Sequence, residues 1–151
     1  MRTSTFIGVL AATILTGTPL RAVPQNPAEL PCVGYATFEK NGQNTDLIGL
    51  ALGEVPAGTK VVLSCTGASC PFNSRTFKMS NDVKTLALTD MFRDPTLKPG
   101  TVLEIRATKP GWVGKVFQYE VLPAGQSKTS TQCIEADGSK TIVCVKNTSP
   151  R

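Results

Sequence analysis

Apolar and polar positions alternate with a period of two along most of this chain, and no long stretch keeps a helical period. Thr101 to Thr108 (TVLEIRAT) is the cleanest case. Leu103, Ile105 and Ala107 fall on one face, and Glu104, Arg106 and Thr108 on the other. Lys115 to Leu122 groups Phe117, Tyr119 and Val121, and Lys60 to Cys65 groups Val61, Leu63 and Cys65. Lys84 to Leu88 turns Leu86 and Leu88 inward. Val33 to Glu39 and Asp46 to Leu52 read as two further strands, and Phe77 to Met79 as a short one. Turn residues separate them: Asn41-Gly42, Pro56-Ala57-Gly58, Pro99-Gly100 and Lys109-Pro110-Gly111. Gln132 to Glu135 and Thr141 to Val145 flank Ala136-Asp137-Gly138-Ser139, which predicts a hairpin built on Asp-Gly. Thr89 to Lys98 reads as a loop with one helical turn.

Seven to nine short strands at spacings near ten residues predict an all-β fold, an antiparallel immunoglobulin-like β-sandwich. A small closed barrel is the alternative. One domain is expected over 32–146, after a Pro-rich leader (23–31) and before a short tail (147–151). The first 22 residues predict a secretory signal. Met1-Arg2 supplies a positive start, Phe6 to Leu15 an apolar run, and Leu20-Arg21-Ala22 a cleavage context. The run is too short to span a membrane, so the mature chain is expected to carry no span and to be extracellular.

Export changes the reading of Cys32, Cys65, Cys70, Cys133 and Cys144, because thiols in an oxidising compartment tend to pair. Five cysteines with one left over allow several pairings of two bridges. Cys65–Cys70 and Cys133–Cys144 are both local and are the expected bridges, with Cys32 unpaired; the alternative ties Cys32 to a core strand. The C-x4-C spacing fits neither the usual C-x2-C redox motif nor a zinc site lacking a second close cysteine pair. No metal and no cofactor is expected.

Charge narrows the partners. The formal charge is +5, and falls to +3 if Arg2 and Arg21 leave with the signal. The basic residues are scattered singly, so no nucleic-acid partner is expected. The chain contains no histidine, which excludes Ser-His-Asp and Cys-His catalysis and every histidine-containing zinc site. Asp90 and Asp94 flank Arg93 without the spacing of a calcium loop and read as surface charges. Ser64, Ser69, Ser74 and Ser80 lack an S-x-x-K or G-x-S-x-G context, and Ser127-Lys128 is adjacent rather than spaced. Glu135 and Asp137 belong to the hairpin, where turn chemistry accounts for Asp137. Asn147-Thr148-Ser149 matches a glycosylation pattern that reads as chance. Trp112, the only tryptophan, sits beside Lys109 in a turn between two strong strands. It is either a recognition anchor with Lys109 or a cover for one end of the core.

The run from Val55 to Cys144 resembles a family of uncharacterised secreted bacterial domains described as immunoglobulin-like or fibronectin type III-like. The matching pieces are Val55 to Val61 (VPAGTKV), Cys65 to Phe72 (C-x-G-x-x-C-P-F), Leu97 to Thr101 (L-x-P-G-T), Gly114-Lys115-Val116, and Cys133 with Cys144. The resemblance implies a non-catalytic extracellular module and carries no ligand or catalytic residue with it. The expected function is a secreted, disulfide-stabilised binding or structural module at or near the cell envelope, with an extracellular protein or envelope polysaccharide as partner. The alternatives are a secreted inhibitor presenting the Cys65–Cys70 loop and a small histidine-free hydrolase.

Overall fold

The structure, a computed structural model, describes residues 26–144. The expected signal, residues 23–25 of the expected leader, Val145 and the tail with its Asn147-Thr148-Ser149 lie outside the described residues. Among the described residues ten strands follow one another: β1 (Val33–Asn41), β2 (Asn44–Val55), β3 (Lys60–Thr66), β4 (Ser74–Lys78), β5 (Val83–Ala87), β6 (Thr96–Leu97), β7 (Val102–Thr108), β8 (Gly114–Val121), β9 (Ser127–Ile134) and β10 (Thr141–Ile142). They form two antiparallel sheets. One has the order β1-β2-β5, with β6 on the far end of β2; the other has the order β10-β9-β8-β7-β3-β4. If β1, β2, β3, β4, β5, β7 and β8 are lettered A, B, C, C′, E, F and G, the sheets read A-B-E and C′-C-F-G. That is the immunoglobulin-like order, with β9 and β10 added beside G.

The alternating strands bury the faces that their sequence assigns. Val61, Leu63, Leu103, Ile105, Ala107 and Val121 are fully buried, and Cys65, Phe117 and Tyr119 nearly so. Leu88 is buried, whereas Leu86 is only half-buried. From the other sheet Leu47, Leu50, Leu52 and Val55 complete the core. The core starts before the first strand. Leu30 and Cys32 are buried, and the Leu30 N–H donates to the Val113 carbonyl while the Val113 N–H donates to Ala28. Backbone pairing thus ties the end of the Pro-rich leader to the β8 entrance.

Four elements differ from the sequence expectation. The strand expected at Phe77 to Met79 is β4, which starts at Ser74, ends at Lys78 and pairs with β3 through residues with no alternating apolar face. β9 begins at Ser127, not Gln132, and pairs with β8 along its whole length. Its first residues, SKTST, are polar on both faces, so no alternation marks them as a strand. β10 is two residues long, and Val143 beyond it is exposed. β6 lies inside the expected loop Thr89 to Lys98, where Leu97 is buried opposite Thr45. The helical turn of that loop is a 3-10 turn over Thr89–Met91.

Disulfides join Cys65 to Cys70 and Cys133 to Cys144, and Cys32 is a buried free thiol. Among the described residues no helix is long and apolar enough to cross a membrane.

Candidate functional site

Lys109-Pro110-Gly111-Trp112 forms the turn between β7 and β8. The Trp112 N–H donates to the Lys109 carbonyl at 3.1 Å, and Gly111 has φ 77°. Proline then glycine at the two central positions is the chemistry of a type II turn, whose third residue needs positive φ. The turn brings its first and fourth residues side by side. Lys109 Nζ stands 5.0 Å from the Trp112 ring centroid, within cation–π range. Val113 follows at once and is fixed by the leader, so the turn has a rigid exit.

Trp112 does two things. It packs, partly buried, against the hydrophobic core, and it lines a cleft of about 770 Å³. Lys109 lines the same cleft, so the two residues singled out by the sequence share one site. The floor is the outer face of the six-stranded sheet at this end: Lys60 and Val62 on β3, Lys78 on β4, and Arg106 and Thr108 on β7. Strand register sets their spacing. Lys60 lies opposite Lys78 on one side and Thr108 on the other, and Val62 lies opposite Arg106. Like charges directly opposite on one sheet face repel.

The far wall is the hairpin turn that carries Glu135 and Asp137. Both carboxylates are engaged locally. The Ser139 N–H donates to Asp137 Oδ1 at 2.8 Å, and Ser139 Oγ donates to Glu135 Oε2 at 3.1 Å. The backbone bond from Ser139 holds the Asp137 carboxyl below the usual carboxylate range. Arg106 reaches only Glu104, at 3.5 Å. Among the described residues Lys60, Lys78 and Lys109 make no ion pair. Thr59, also in the lining, is buried and its Oγ1 has no hydrogen-bond partner. Such a group is costly unless something meets it.

Lys60, Lys78, Arg106 and Thr59 had no mark in the sequence as site residues. Each is an isolated polar position on a strand or at its edge, and only the sheet register gathers them. The other sequence candidates lie elsewhere. Asp94 caps a turn by accepting from the Thr96 N–H at 2.9 Å, and Arg93 pairs with neither Asp90 nor Asp94. Ser69 Oγ accepts from the Lys98 N–H and sits 2.8 Å from Thr101 Oγ1, which pins the Cys65–Cys70 loop to the entrance of β7. Beside that loop Phe72 packs on Phe92, centroids 5.2 Å apart, with Arg75 over its ring. Glu29, Cys133 and Cys144 converge, but the two sulfurs are bonded to each other and Glu29 pairs with Lys115 at 3.1 Å. A disulfide offers no thiolate to a metal. Burial pushes the Cys32 thiol up, away from reactivity.

The chain matches no protein-family model, and comparison with the curated proteins and with the solved structures finds no match.

Proposed function

We propose that this chain is a secreted, non-catalytic binding module, acting at or near the cell envelope, that takes its partner in the cleft beside Trp112. The observation that carries the reading is the pairing of Lys109 with Trp112 on a turn fixed at both ends, above a floor in which Lys60 and Lys78 make no ion pair among the described residues. Aromatic and cationic groups held on rigid loops are the usual anchors of recognition. Two disulfides suit an oxidising compartment, in keeping with the signal-like first 22 residues. The resemblance to secreted immunoglobulin-like domains supports the same class, and the lack of histidine supports a role without catalysis. The pinning of Ser69 argues against the inhibitor reading, since a loop held down on the sheet is a poor insert for an active site.

Trp112 is the sole tryptophan, so its fluorescence reports on the cleft directly. Titration of the mature protein with isolated envelope polysaccharides should shift that emission, and Trp112→Ala should abolish binding measured by calorimetry while the fold persists. Full-strength binding by a folded Trp112→Ala variant would move the site elsewhere.

A further inference from the structure

We infer that the ligand of this cleft is a carboxylated glycan, a chain of sugars carrying carboxylate groups; the inference rests on the cleft being the binding site, as proposed above. Charge is the first reason. Four cationic side chains, Lys60, Lys78, Arg106 and Lys109, line the cleft against two acidic ones. The acids, Glu135 and Asp137, are turned into the hairpin by Ser139. Three of the four cations have no ionic partner among the described residues, and Lys60 and Lys78 face each other across β3 and β4. An anion placed between those two ammonium groups converts a cross-strand repulsion into two attractions.

The rest of the lining points to sugar. Apart from the charged groups, two threonines, four glycines and one indole stand among Val62, Met79 and Pro110, a surface that is uncharged, mostly apolar and partly aromatic. An indole offers an apolar face to the C–H side of a sugar ring and an N–H to its hydroxyls. Thr59 belongs to the lining and is 1% exposed, and its hydroxyl has no hydrogen-bond partner among the described residues. An acidic peptide fits less well. Peptides commonly bind by adding a strand to a free sheet edge. Of the floor strands, β3 and β7 are hydrogen-bonded on both sides, and the edge strand β4 gives the cleft only Lys78, so the floor presents side chains more than an edge.

The test uses the mature protein and three probes: a polygalacturonate oligomer, a neutral glucan oligomer and poly-glutamate. Binding is read by Trp112 emission and calorimetry at low and at physiological salt, and circular dichroism reports the fold. The expected result is binding of polygalacturonate alone, weakened by salt and weakened about tenfold in folded Lys60→Gln/Lys78→Gln, as loss of two exposed charge contacts predicts. Failure to bind polygalacturonate overturns the inference. Equal, Trp112-dependent binding of the neutral glucan overturns it and leaves the cleft reading standing. Equal binding of poly-glutamate overturns the sugar assignment. Polygalacturonate binding indifferent to both the lysine pair and Trp112→Ala overturns the inference and the cleft reading together.

Discussion

Gly34 on β1 faces Phe117 on β8 so closely that a β-carbon at Gly34 would stand 2.6 Å from Phe117 Cγ, and equally close to the Tyr119 hydroxyl. The missing side chain is what lets the first sheet settle onto the aromatic row of the second. Phe117 cannot yield easily, because the contact is to the root of its ring. Gly34→Ala should therefore force the sheets apart and destabilise the domain by about 1–3 kcal/mol, the range for overpacked cores. Urea unfolding measures it; unchanged stability would mean that the interlayer space can relax.

Tyr119 makes a second prediction. Its hydroxyl is buried without a hydrogen-bond partner, and burial pushes its pKa up to about 12. Tyr119→Phe removes a group that pays desolvation and receives nothing, so stability at neutral pH should rise by about 1 kcal/mol. The alkaline behaviour fixes the sign. A phenol raised in the folded state contributes its full stability below the unfolded value of about 10 and loses it as pH climbs through about 12. The wild type should weaken across that window more steeply than Tyr119→Phe. Parallel pH–stability curves for the two proteins would contradict it.

The cysteines can be counted. Native exported protein should show no thiol that reacts rapidly with Ellman's reagent, and one per chain after unfolding in guanidinium, since Cys32 is buried and the other four are bridged. Removing the shorter bridge as Cys65→Ala/Cys70→Ala should cost about 2 kcal/mol, and the longer as Cys133→Ala/Cys144→Ala about 3 kcal/mol, because a larger loop is released in the unfolded chain. Three or more thiols on unfolding would mean that at least one bridge is not formed.

Thr45 supports a prediction at the other end of the sandwich. It is fully buried; its Oγ1 donates to the Leu122 carbonyl at 2.9 Å and accepts from the Gly125 N–H at 3.0 Å. The hydroxyl thereby anchors the β8–β9 connection to β2. Thr45→Val keeps the shape and leaves both backbone groups unmet, which should cost about 1–3 kcal/mol. Thermal unfolding checks this, and Thr45→Ser should retain most of the wild-type stability.

What could be read ahead of the structure follows from where side chains carry a local signal. The buried faces of β3, β7 and β8 were legible because period-two alternation records which side of a strand meets the core. The turn at Pro110-Gly111 was legible because positive φ at its third position favours glycine. Ser127 to Thr131 left no such trace, since a strand exposed on both faces has no apolar side to display. Its pairing with β8 is backbone chemistry, and almost any polar sequence can supply it. Lys109 and Trp112 were legible as neighbours in one turn. Lys60 and Lys78 were not, because their meeting depends on the β3–β4 register.

The amino-acid order by itself determined an all-β chain, the inward face of its strongest strands and the exclusion of histidine chemistry, and it favoured a sandwich over a barrel and two local cysteine bridges over the other pairings. Each of those depends on residues close together in the chain or on composition alone. Tertiary structure decided that Leu30 and Cys32 belong to the core, that Gly34 must stay bare beneath Phe117, and that four cations from separate segments share one cleft with Trp112. Most of those relationships join positions tens of residues apart, and only the register and stacking of the two sheets bring them together.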